Sequence, residues 1–174
     1  FEKAGLTGKM PRPFRGSGRG ATFDAYKTAL RNCKPNELPL LLVDSEDLVA
    51  DGHSAWQHLK SRNDDNWDKP EGAGDRDAYL MICCMETWFI ADRATLATFF
   101  GSDWRENALP KWSDPERVPK PRVFDALDKA TAACGKRRYM KGKLSFDLLS
   151  KINPAEVEEH CLAAKCLLNR LRSL

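Results

Sequence analysis

The sequence predicts an α/β domain, a mostly parallel sheet flanked by helices, with a helical C-terminal part over about residues 121–174. Three observations carry that expectation. Two short apolar runs, Leu40–Val43 and Tyr79–Cys84, have the length and composition of strands buried on both faces. The stretch before the first run, "ATFDAYKTALRNC", has apolar residues at Phe23, Tyr26, Ala29 and Leu30, a spacing of three and four that is helical. Helical patterns follow the second run, so strands and helices alternate as in an α/β layer. With 174 residues the chain fits one domain, 1–174, with room for a real core.

Taken in order, the first 20 residues are rich in Gly, Arg and Pro and predict a short edge strand around Arg12–Arg15, then a loop. The helix over "ATFDAYKTALRNC" stops at Pro35 and Asn36. The strand Leu40–Val43 comes next. From Ser54 to Ala73 the chain is polar, with Trp56 and Trp67 as isolated anchors and a Gly- and Pro-rich loop in "WDKPEGAGD". The strand Tyr79–Cys84 leads into one helix from about Glu86 to Phe100, with Gly101 as its C-cap. A loop with four prolines separates it from a helix over about Arg122–Cys134. Two more helices, Leu144–Ile152 and Ala155–Leu174, complete the chain, with Pro154 at the first position of the last.

Composition excludes some classes. Charged residues make up 30% and net charge is +3, so total charge does not by itself point to nucleic acid. No apolar run approaches the roughly 18 residues of a membrane span. The six cysteines include no C-x-x-C pair, so a zinc knuckle is not expected. Cys83 and Cys84 suit buried free thiols, and the expected setting is reducing and cytoplasmic. The chain opens at Phe1 in mid-pattern, and the natural protein is expected to extend upstream.

Four stretches are candidates for chemistry. In "PLLLVDSEDL", Asp44, Glu46 and Asp47 fall where a buried strand leaves the core. Ligands bind open α/β sheets beyond the carboxyl ends of strands. If the backbone stays extended, Glu46 falls on the same side as Asp44, and two such carboxylates suit Mg2+ or Mn2+. The alternative is a solvated loop with an N-capping acid. Glu86 also sits where a buried strand ends, and shares the sheet edge with Asp44 if the strands are parallel neighbours. Otherwise it is a first-turn acid favoured by the helix dipole. Asp92 reads as a surface or capping acid. In "RGSGRG", Arg15 and Arg19 flank glycines before a helix, which suits either a phosphate cradle or a flexible loop. In "KRRYMKGK", five cations including Arg137, Arg138 and Lys141 surround Tyr139, a patch for a phosphate backbone or a solvated turn. His53 and His58 lie five apart with no Cys or acid to complete a zinc set.

Four segments together are familiar: "LLLVDSED", "YLMICCMETWFIADRATLATFFG", "ALP…VPKPR…ALDKAT" and "YMKGKLSFDLLSKINPAEV". They resemble a bacterial family, the domain of unknown function 4276, from about Arg12 onward. The resemblance implies a Toprim-like fold, the architecture of topoisomerases, primases and defence nucleases, and a neighbouring ATPase in anti-phage immunity. It implies that Asp44 and Glu46 hold a divalent metal as the acid-x-acid pair of a Toprim site, and that Glu86 serves the same or a second metal. Lys141 would stabilise charge at the transferring phosphate. Arg15, Arg19, Arg137 and Arg138 would bind phosphates. A Toprim site also uses a first-strand Glu, which would precede residue 1, so the first strand is expected to be missing from this chain. The expected function is metal-dependent cleavage of DNA or RNA as a defence effector, with oligomers possible. The alternatives are a docking subunit of a partner ATPase with no chemistry of its own, and a metal-dependent phosphotransferase acting on a small nucleotide.

Overall fold

The computed structural model describes residues 2–174, the side chain of Lys143 excepted. Two parallel strands, β1 (Leu41–Asp44) and β2 (Ala78–Met81), form the sheet. Leu41 lies opposite Ala78 and Asp44 opposite Met81. The elements before and after are α1 (Arg19–Asn32), α2 (Ala55–Ser61), α3 (Glu86–Ala91), α4 (Arg93–Phe100), α5 (Lys120–Ala130), α6 (Lys143–Leu149), α7 (Pro154–His160) and α8 (Leu162–Arg172). Short 3-10 turns connect several of them. The chain is therefore α/β, with a small parallel sheet between helices.

Alternation of side chains along the strands explains the layers. Leu41, Val43, Ala78 and Leu80 are buried against Phe23 and Tyr26 of α1 and Trp56 and Leu59 of α2. The residues between them, Leu42 and Tyr79, pack with Leu40 on Leu6 and on Leu167, Leu168 and Leu171 of α8. In α8 the buried Ala164, Leu167, Leu168 and Leu171 follow the spacing of one helical face. The same spacing in α5 buries Val123, Ala126, Leu127 and Ala130 in the largest apolar cluster, with Phe89, Leu96 and Leu148.

Several sequence expectations need correction. No strand forms at Arg12–Arg15; Pro11 and Pro13 remove the donors a ladder would use. The polar stretch after Ser54 contains α2, whose start is a capping box: Ser54 Oγ accepts from Gln57 N at 3.2 Å, and Gln57 Oε1 from Ser54 N at 2.7 Å. The expected helix Glu86–Phe100 is two helices. Asp92 is buried and breaks it, with one oxygen capping Thr95 N at 3.0 Å and the other accepting from Asn153 N at 2.7 Å. Asp92 is thus a capping acid but not a surface one. The last expected helix also divides, at Cys161, where both oxygens of Glu116 accept from Ala163 N at 3.1 Å and cap α8. Gly101 ends α4 with φ 77°, a conformation that favours glycine. All six cysteines are free thiols, and Cys83 and Cys84 are buried. No helix among the described residues is long and apolar enough to cross a membrane.

Candidate active site

The parallel pairing brings Asp44 and Glu86 to the same edge of the sheet. Asp44 is the last residue of β1, and the next amide, Ser45 N, donates to Met81 O at 2.8 Å. Beyond Met81 the chain turns tightly through Cys83, at φ 61°, and delivers Glu86 as the first residue of α3. Ser45 joins the two strand exits. It is fully buried, its Oγ donates to Asp47 O at 2.6 Å and accepts from Cys83 N at 2.7 Å, and its carbonyl accepts from His58 Nε2 at 2.9 Å. His58 is therefore a buried donor rather than a metal ligand.

Glu86 is fully buried, which is rare for a carboxylate. Tyr139 donates from its hydroxyl to Glu86 Oε1 at 2.5 Å. That uses the only phenolic proton, so Ser145 Oγ, 2.8 Å from the same hydroxyl, is the donor to it. Gly142 N in turn donates to Ser145 Oγ at 3.1 Å. This chain of bonds fixes one oxygen of Glu86. The other, Oε2, is buried and has no hydrogen-bond partner, and the same is true of Asp44 Oδ1. A buried carboxylate oxygen without a partner is costly, so two at one place mark a site whose polar demand the chain itself leaves unmet.

The charges around Asp44 are mixed. Its Oδ2 lies 3.9 Å from Lys141 Nζ. Burial pushes its carboxyl up to about 6, with the negative charges of Glu86 and Glu46 adding to the effect and Lys141 and Lys120 opposing it. Lys120, at the start of α5, is ion-paired with Glu46.

The expected site residues divide accordingly. Asp44, Glu86 and Lys141 come together. Glu46 does not share the face of Asp44 as an extended strand would require, because its backbone is in the left-handed region at φ 66° and its carboxylate is on Lys120. Arg19 holds the Gly-rich loop in place: it donates to the Asp44 carbonyl, pairs with Asp65 and lies over the Trp67 ring at 5.0 Å. Gly16 permits the close turn there, since a Cβ would lie 2.7 Å from Thr22 N. Arg15 lies over the Phe146 ring, 3.8 Å from its centroid. Arg138 makes a bidentate pair with Asp128 at 2.7 and 2.6 Å, and Arg137 donates to Phe99 O and lies over its ring. These two are tied to the helices beside them rather than to Asp44. The Lys143 side chain, the last cation of that patch, lies outside the described residues.

Sequence reasoning missed Lys120, Ser45, Tyr139 as the partner of Glu86, and Ser145. Tyr139 stood out only as an aromatic among cations. Its phenol is buried and its amide donates to Thr131 Oγ1 at 2.9 Å, which anchors it to the end of α5. Elsewhere, Glu156, Glu159 and His160 offer ligand atoms within 4.8 Å of one another, but Glu159 and His160 are exposed.

A family model described as Domain of unknown function (DUF4276) matches residues 5–172. No curated protein and no solved structure matches the chain. Since the match takes in nearly every residue, from the Gly-rich loop to the end of α8, the chain belongs to the DUF4276 family.

Proposed function

We propose that this protein is a divalent-metal-dependent nuclease with a Toprim-like site, cutting phosphodiester bonds in DNA or RNA. The observation that carries the reading is the pair of buried carboxylates at the exits of two parallel strands, each with an oxygen lacking a partner. Oxygen-only ligands of this kind fit Mg2+ or Mn2+. Asp44 and Glu86 would hold the ion, while Glu46 stays on Lys120 beside them. Such an ion, when bound, supplies a water of lowered pKa and polarises a phosphoryl oxygen.

The chain's own residues do the rest. Tyr139 and Ser145 orient Glu86 and leave Oε2 as its ligand atom. Lys141, half-exposed beside Asp44, is placed to hold a phosphate oxygen and to offset charge that develops during cleavage. Lys120 adds a second ammonium on the side of Glu46. We infer for this activity a role in bacterial anti-phage defence, alongside a partner ATPase, from what the family resemblance implies.

A docking subunit without chemistry is the competing reading, and the small sheet favours it. Parallel strands normally sit in larger sheets, and a two-stranded sheet has outer edges free to pair. Manganese-dependent cleavage of DNA and RNA, with Asp44→Ala beside the native protein, tests the nuclease reading. Native cleavage that disappears in the variant is the expected result. Cleavage that persists in Asp44→Ala ends this mechanism.

A further inference from the structure

We infer that Phe146, Arg15 and Phe14 form a stacking platform for single-stranded nucleic acid next to the carboxylate pair. The inference rests on the nuclease reading above and names the substrate class for that site. Phe146 is on α6, one residue after Ser145, whose hydroxyl bonds to the Tyr139 that holds Glu86. It is 38% exposed, and the Arg15 guanidinium covers one face of its ring at 3.8 Å. Arg15 is itself exposed. Phe14, immediately before it, is 76% exposed, and Met140, immediately before Lys141, is 71% exposed.

Single exposed apolar residues are ordinary on a protein surface. These differ in their company. Phe14 and Met140 each precede a cation, Arg15 and Lys141, Phe146 carries Arg15 on its ring, and all lie on segments that build the carboxylate site. The Gly-rich loop runs from Arg15 on Phe146 to Arg19 on the Asp44 carbonyl. Four residues of chain hold the Arg15 and Arg19 backbones at most about 14 Å apart, and their side chains add several ångströms at each end, so one oligonucleotide of several nucleotides can reach from the platform to Asp44.

The chemistry of the platform selects its occupant. An aromatic ring and a guanidinium plane stack on unpaired bases, while neighbouring cations follow the phosphates. In a duplex the base faces are already stacked on one another, so only a single strand, or a frayed end, can use both features. An apolar protein segment would match the apolar atoms but not the guanidinium stacked on Phe146.

The test is fluorescence anisotropy in EDTA, using a short labelled single strand, DNA and RNA in turn, against the matching blunt duplex. The expected result is at least about tenfold tighter binding of the single strand, and about a tenfold loss in Phe146→Ala with restoration by Phe146→Trp. Phe146→Ala should leave the salt dependence unchanged, whereas Arg15→Ala should lower its slope by about one. A fluorescent purine analogue in the strand should be quenched by the native protein and less so by Phe146→Ala. Equal binding of duplex, native affinity in both Phe146→Ala and Phe14→Ala, or no binding at all overturns the inference. Binding with these properties but no manganese-dependent cleavage defeats the nuclease reading instead and leaves the platform standing.

Discussion

Two acidic clusters in this protein look alike as lists of residues and differ in physics. Asp44 and Glu86 sit at the exits of buried strands, and each keeps a buried oxygen without a partner. Glu156, Glu159 and His160 sit on α7, and the last two line a cavity of about 490 Å3 together with Asp51, Asp114, Glu116 and Glu158. In that second region the acids meet their needs locally. Glu158 is on Arg172 in a bidentate pair, Asp51 is on Arg117 at 2.7 Å, and Glu116 caps α8. Glu159 and His160 of the trio are open to water, which solvates a carboxylate at almost no cost. Proximity of ligand atoms alone therefore does not distinguish the clusters. What distinguishes them is the unmet cost of burial at the strand exits, which perturbs Asp44 as functional sites commonly do.

The largest expected effect tests that distinction directly. Asp44→Asn or Glu86→Gln should remove manganese binding, followed by the ion's electron paramagnetic resonance signal in titration. The double change Glu159→Gln with His160→Asn should leave it intact. The reverse pattern would exchange the ranking of the two regions.

A smaller effect concerns the support of Glu86. Tyr139→Phe deletes the hydroxyl that donates to Oε1 and leaves the buried carboxylate without its short bond. Urea unfolding should reveal a loss of about 2 to 3 kcal/mol, and manganese affinity should fall by about 10- to 100-fold. His160→Ala, on an exposed helix end, should change stability by no more than about 0.5 kcal/mol. Equal costs for the two variants would mean that the hydrogen-bonded chain to Glu86 contributes nothing to the fold.

The smallest effect is a pH dependence in the metal-free protein. Because burial raises the carboxyl of Asp44 to about 6, its neutral form is favoured in the folded state. The associated stability is fully present below the ordinary carboxylate value of about 4, and is lost as pH rises through the folded value. Asp44→Asn should therefore be no more stable than native at low pH. Its advantage should grow across the window up to about 6 and level off above it at about 2 to 3 kcal/mol. Thermal unfolding in EDTA across pH measures this. An advantage that is constant with pH would show that Asp44 does not carry the titration.

Much of the layer order is legible in the sequence. Leu40–Val43 and Tyr79–Cys84 mark the strands to within a few residues, because continuous apolar runs of that length have little alternative to a sheet buried on both faces. Helical spacing locates α1, the helix expected over about Arg122–Cys134 overlaps α5, and Gly101 stops α4 as expected. Helix breaks were not legible. At Asp92 and Cys161 the apolar spacing continues through the break, which is made by partners far along the chain: the amide of Asn153 on Asp92, and Glu116 on the start of α8. The capping signature Ser54-x-x-Gln57 was present and marks α2 more reliably than the polar residues around it suggest.

By itself the sequence determined an α/β chain with two acidic strand exits, Asp44 and Glu86, because strand length, side-chain alternation and residue type are local properties. Tertiary structure alone decided which acids face which cations. Parallel pairing of β1 with β2 brought Asp44 and Glu86 to one edge, a left-handed turn at Glu46 sent that acid to Lys120, and packing of the segment after α5 buried the Tyr139 phenol on Glu86. Those outcomes depend on contacts between residues up to 74 apart in the chain, and on burial that only the assembled core creates. For that reason the sequence could offer Asp44 and Glu46 as the pair, while the fold presents Asp44 and Glu86.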